Sequence, residues 1–140
     1  MADEARNVDI LREAYARWHD SKGGSVDHWL TVVADDIKFG SIARGMPEMA
    51  FAKAYSNREA LGSYFKGLLS EWEMLHYTVG EFVAQGDAVF MRGSTAWRHK
   101  RTGQEVDTPK VDFWRFRDGK AVEFYEYYDT ARVVAAATAA

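Results

Sequence analysis

The chain has 140 residues, a size that suits one compact domain and leaves little room for two. Its formal net charge of −3 argues against a general nucleic-acid binder, and the absence of cysteine excludes disulfides, thiol nucleophiles and thiolate metal sites. Aromatic residues are abundant, with five Trp, seven Tyr and eight Phe, which suggests a wide apolar cavity or a large interface in addition to a core.

Residues 3–20 have the period of an amphipathic helix, with Val8, Leu11, Tyr15 and Trp18 on one stripe and Arg6, Asp9, Arg12 and Glu13 on the other side. Gly23-Gly24 ends it. Ser25 is placed to N-cap a short second helix reaching about Ala34, with Trp29, Leu30 and Val33 turned inward. Asp35-Asp36 breaks that helix, and Ile37-Lys38-Phe39 reads as a brief strand. Residues 40–55, with Gly40, Gly45 and Pro47, form the longest expected loop, and loops of this length are often functional lids. Ser56-Asn57-Arg58-Glu59 has the spacing of a capping box. The helix after it carries Leu61, Phe65, Leu68 and Trp72 on one stripe, with Tyr64 and Leu69 beside it.

After His76 the period becomes two. Strands are expected at 76–84, 87–99, 104–117 and 120–129, joined at Gln85-Gly86-Asp87, Arg101-Thr102-Gly103 and Arg117-Asp118-Gly119. The last turn is the strongest hairpin signal, because Gly adopts positive φ without steric cost. The Ala-rich segment 131–140 reads as a frayed helix or a disordered tail. Helices followed by a meander of strands give an α+β fold, with three N-terminal helices against a strongly curved antiparallel sheet. The result is a cone-shaped barrel whose open end encloses a pocket.

The carboxylates inside the aromatic-rich hairpin of residues 111–129 need a reason to be there, because burying one is costly unless it is paired. Side chains two apart share a strand face. An inward Glu126 brings Val122, Phe124 and Tyr128 inward with it; an inward Asp112 brings Lys110, Trp114 and Phe116; Arg92 brings Ser94 and Ala96. Glu126 then reads either as a general acid or base or as half of an Arg92–Glu126 structural ion pair. Asp112 is a neutral donor, a second base, or a partner of Lys110 or Arg92. Tyr15 is a substrate hydrogen-bond donor or a core tyrosine. Outward Tyr125, Tyr127, Phe113 and Trp97 would suit an interface.

The Asp35-Asp36 break, the Phe116-Arg117-Asp118-Gly119-Lys120 hairpin and the following Glu123, Tyr127-Tyr128 and Asp129 resemble the SnoaL-like branch of the nuclear transport factor 2-like superfamily over residues 5–135. By that resemblance, Tyr15 and Asp112 fall on the oxyanion-hole Tyr and Asp of ketosteroid isomerases, while Ser41, after Phe39-Gly40, stands where their general base would be. Arg92, Ser94 and Glu126 fall on the Arg-x-Asp and last-strand Asp of limonene-epoxide hydrolases, with Ser94 replacing the middle carboxylate. Glu126 also matches the last-strand acid/base of SnoaL-like polyketide cyclases.

The combined expectation is a cofactor-free isomerase or cyclase-type enzyme acting by proton transfer on a small apolar carbonyl compound. Glu126, Asp112, Tyr15 and Arg92 would be the catalytic groups, with Trp114, Phe124, Tyr128, Ser41, Ser94 and Phe39 around the substrate. The alternative is a non-catalytic small-molecule binder of the same fold. No His pair has metal-ligand spacing, no phosphate-binding glycine motif occurs, and no apolar run approaches a membrane span, so no metal, cofactor, nucleic acid or membrane partner is expected. The acidic start Met1-Ala2-Asp3-Glu4 shows no secretory signal, which suggests the cytoplasm. The family resemblance further implies a homodimer through the outer face of the sheet.

Overall fold

The computed structural model describes residues 3–139; Met1, Ala2 and Ala140 lie outside it. Helix α1, Asp3–Asp20, lays Leu11, Ala14, Tyr15 and Trp18 on the core. Gly23, at φ +89°, closes its C-terminus by returning its N–H to the Trp18 carbonyl. Helix α2, Val26–Val32, contributes Trp29 and Val32. Ser25 precedes it, but the hydroxyl makes no capping bond and is buried without a partner.

Strand β1 is longer than its brief apolar signal, running Val33–Ser41, and Asp35-Asp36 lies within it as an exposed pair. The following segment is packed rather than open. A 3-10 turn at Pro47–Met49 leads into buried Phe51, Ala52 and Tyr55, and Tyr55 exchanges backbone bonds with Phe39. Helix α3, Arg58–Glu71, is capped by Asn57, whose side chain accepts the Ala60 N–H at 2.7 Å. The cap therefore falls one residue after Ser56, the position that the capping-box spacing favours.

From there the chain is a meander: β2 Trp72–Gln85, β3 Ala88–His99, β4 Glu105–Arg117 and β5 Lys120–Tyr128. Arg117 pairs with Lys120 around Asp118 (φ +50°) and Gly119 (φ +81°), the two-residue turn expected of Asp-Gly. The five strands are ordered β1-β5-β4-β3-β2. The sheet is mixed, not purely antiparallel, because β1 runs parallel to β5. Bulges in β2, between Met74 and His76 and between Val79 and Glu81, bend the sheet around the helices. At Gly93 the strands come so close that a Cβ would meet the Thr78 carbonyl at 2.1 Å.

The Ala-rich segment forms a fourth helix, α4, Thr130–Thr138, so the helices are not confined to the N-terminal half. Asp129 caps it by accepting the Arg132 N–H, and Val133, Ala136 and Ala137 are buried. The helices and the concave sheet face enclose one continuous apolar cluster, running from Leu11 and Trp18 through Phe65 and Leu68 to Trp114 and Phe124. Among the described residues, no helix is long and apolar enough to cross a membrane.

Candidate functional site

Strand β4 presents alternate residues to the concave face, and Thr108, Lys110, Asp112, Trp114 and Phe116 are all buried. Across the ladder, Asp112 pairs with Glu126, Trp114 with Phe124 and Lys110 with Tyr128. This registration places an ammonium and two carboxylates side by side inside the cone. A bulge on β5 lets Ala121 rather than Val122 pair with Phe116 and turn inward; the register of Phe124, Glu126 and Tyr128 is unaffected.

Lys110 is the hub. Its Nζ lies 3.0 Å from Asp112 Oδ1 and 3.0 Å from Glu126 Oε1, and it donates to the Tyr77 hydroxyl at 2.6 Å. Tyr77 in turn donates to Asp112 Oδ2 at 2.8 Å, and Tyr15 donates to the same oxygen at 2.5 Å. The Trp114 indole N–H donates to Tyr15 at 2.8 Å. On the other side, the Tyr64 hydroxyl, from α3, lies 3.1 and 3.3 Å from the two Glu126 oxygens. Asp112 Oδ1 is 1% exposed at the residue level and has the ammonium beside it, yet it receives no aligned hydrogen bond.

Burial pulls the Lys110 ammonium toward its neutral form, but Asp112 and Glu126 outweigh this and hold it charged well above its ordinary range. Burial first, and then the neighbouring carboxylates, push the Tyr15, Tyr64 and Tyr77 hydroxyls well above theirs. Tyr128 is raised by burial and by Glu126. The phenols are therefore neutral hydrogen-bond donors at physiological pH.

This polar cluster lines a cavity of about 90 Å³. The remaining wall is apolar or aromatic and includes Trp18, Trp29, Phe39, Leu61, Phe65, Trp72, Trp97 and Val133. Among the described residues, no three His, Asp or Glu side chains gather to hold a metal ion.

Of the residues singled out in the sequence, Tyr15, Phe39, Asp112, Trp114, Phe124, Glu126 and Tyr128 line the cavity. Ser41 is buried behind it, with its hydroxyl 3.5 Å from that of Tyr128. Arg92 and Ser94 belong to the other face. Arg92 pairs across the ladder with Val111 while Met91 pairs with Asp112, so Arg92 points out and forms its ion pair with Glu81 at 2.6 Å. The expected Arg92–Glu126 pair does not exist, and Lys110 takes its place. Trp97, expected outward, is buried against the cavity with its N–H on Thr95.

The run Val89, Met91, Thr95, Trp97 already marked the inward parity of β3, against Arg92, Ser94 and Arg98 on the other. Strand parity also placed Lys110 inward. Tyr64 and Tyr77 carried no comparable signal, because their partners lie 62 and 35 residues away in the chain. His19, near the end of α1, accepts the Tyr77 backbone N–H at 3.1 Å and so braces that strand.

The SnoaL-like domain family model matches residues 11–124. The chain belongs to that family. No curated protein matches it. The SnoaL-like chain is similar in structure to an NTF2-like protein of unknown function from Burkholderia pseudomallei, with TM-score 0.81 and 20% identity over 96% of this chain and 98% of that one. An NTF2-like protein from Burkholderia xenovorans gives TM-score 0.79 and 26% identity over 96% and 98% of the two chains. TerC, crystallised with polyporic acid, gives TM-score 0.78 and 18% identity over 94% and 98%. The SnoaL-like fold thus extends over nearly the whole chain.

Proposed function

We propose that this SnoaL-like protein is a cofactor-free acid/base enzyme of isomerase or cyclase type, acting on a small, largely apolar carbonyl compound. The observation that carries this reading is Glu126, a buried carboxylate at the wall of an apolar cavity, held by Tyr64 and Lys110. A carboxylate fixed in this way can take a proton from the carbon beside a carbonyl and return it elsewhere. The Lys110 ammonium and the Tyr64 hydroxyl are the groups suited to the negative charge that develops on the carbonyl oxygen. Asp112 accepts from two tyrosines, so in this reading it positions Lys110 and Tyr77, and Tyr15 positions Asp112. The cavity is smaller than the roughly 150 Å³ void known to hold benzene. It therefore favours a compact substrate over a steroid-sized one.

The test is exchange of the α-protons of small ketones in deuterated water, followed by NMR. The protein should accelerate exchange, and Glu126→Gln should reduce the rate by about 10²–10⁴-fold with the fold retained. An unchanged rate removes Glu126 from the chemistry. A second reading, a non-catalytic binder, is favoured by the way the cluster satisfies itself: both Glu126 oxygens and Asp112 Oδ2 already have hydrogen-bond donors. It predicts ligand-dependent stabilisation with no exchange.

We also propose a homodimer through the convex sheet face. Phe90 and Tyr127 are each 44% exposed there, and Phe113 and Tyr125 pair between them across β4 and β5. Sedimentation should give a dimer mass, and Phe90→Glu should yield a folded monomer. A wild-type monomer at micromolar concentration would refute this assembly.

A further inference from the structure

The cavity wall holds two carboxyl groups and one amine. Among the residues that line it, only Lys110, Asp112 and Glu126 are charged. Lys110 is kept as an ammonium by the two carboxylates, so an ionised cluster carries one uncompensated negative charge. The three side chains are at most 10% exposed, leaving little water to screen that excess. A second observation concerns Asp112 Oδ1, which is buried with the ammonium at 3.0 Å but receives no aligned hydrogen bond. A third concerns the walls. Lys110 Nζ already lies 5.0 Å from the Tyr77 ring centre and 5.9 Å from that of Phe124, and such ring faces attract cations.

We propose that the cavity selects small apolar molecules carrying one positive charge, in the form of a protonated amine. The ammonium of the ligand would donate to Asp112 Oδ1 and Glu126, completing a square of alternating charges with Lys110, while its alkyl part would lie against the aromatic wall. The same arrangement rejects anions. The one cation among the lining residues is already shared by two carboxylates, so an incoming carboxylate or phosphate would add to the uncompensated negative charge. If the protein is an enzyme, the substrate is then a compact amine-bearing carbonyl compound. This inference rests on reading the cavity as the ligand site, but not on Glu126 catalysing anything.

Three probes of one shape separate the possibilities: isobutylammonium, isobutanol and isobutyrate, titrated into the protein at neutral pH and followed by NMR of the tryptophan indole N–H groups. The ammonium should bind at least about tenfold more tightly than the alcohol, and isobutyrate should bind most weakly. Glu126→Gln removes one carboxyl group and should bring the ammonium and alcohol within about twofold of each other. If that variant fails to fold, Asp112→Asn removes the carboxyl group on the opposite strand and makes the same prediction. Equal binding of ammonium and alcohol by the wild type overturns the proposal and leaves a neutral pocket, with a proton supplying the missing charge. Preferred binding of isobutyrate overturns it outright. Absence of binding by all three sinks both the charge selectivity and the reading of the cavity as a ligand site. Ammonium selectivity without α-proton exchange would sustain this inference while removing the catalytic one.

Discussion

The two faces of the sheet carry the same kinds of side chain and use them in opposite ways. On the convex face, Arg115 pairs with Asp87 at 2.7 Å and Glu123 at 3.2 Å, and Arg92 pairs with Glu81, all between side chains that are 42–73% exposed. On the concave face, on the same two strands β4 and β5, Lys110, Asp112 and Glu126 are at most 10% exposed. Exposed ion pairs contribute little because water screens them and their ordering costs entropy. Buried ones are held at high cost, so loss of one partner strands the others. The convex pairs therefore keep the sheet solvated, whereas the concave set constrains what the cone can contain.

The sharpest way to break this comparison is Lys110→Met, which leaves two carboxylates facing each other without a cation. Stability should fall by about 3–5 kcal/mol in denaturant unfolding, and a loss below 1 kcal/mol would show that the cluster is not electrostatically coupled.

Alkaline pH attacks the same cluster next. Unfolded tyrosines lose their protons near pH ~10, whereas buried Tyr15, Tyr64 and Tyr77 keep theirs to higher pH, as does Lys110. A group whose folded pKa is raised contributes its full stability below its unfolded pKa and loses that contribution above it. The melting temperature should thus be insensitive to these groups below about pH 10 and fall beyond it. Tyrosinate absorbance should rise in two stages, with the buried set appearing only as the fold is lost. A single titration near the free value would contradict their burial.

The smallest effect belongs to the convex face. Arg92→Ala should cost at most about 1 kcal/mol and leave ligand binding unchanged. A large loss of binding would return Arg92 to the site.

These contrasts also show where the sequence was readable. Alternation in β4 is unbroken from Thr108 to Phe116, so the inward set followed from Asp112 alone. In β3 the same rule was anchored on Arg92, a residue chosen by resemblance, and the whole strand turned with it by one position. Val89 and Met91, both fully buried, carried the correct parity. The fold was legible because helix and strand periods, the Asp-Gly turn and the glycine at the end of α1 are local signals. The tyrosine ring around the carboxylates was not, since it arises where α1, α3 and β2 meet β4 and β5. The tail was ambiguous for a related reason: an Ala-rich stretch has helical propensity, but Val133 and Ala136 become ordered only against the rest of the fold.

The parallel pairing of β1 with β5 has a consequence for how the molecule assembles. During synthesis β1 emerges early, yet its sheet partner is the last strand made, and α4, which adds Val133 to the cavity wall, comes later still. Until then β1 has no strand beside it except the single bridge at Tyr55. The chain must therefore hold its first strand in reserve while the meander forms, and closing this long loop is the kind of step that slows folding. A ribosome-bound chain stopped before Lys120 would present an unpaired β1 edge to its surroundings, and a ligand could report on completion of the fold because its site does not exist before the last strand arrives.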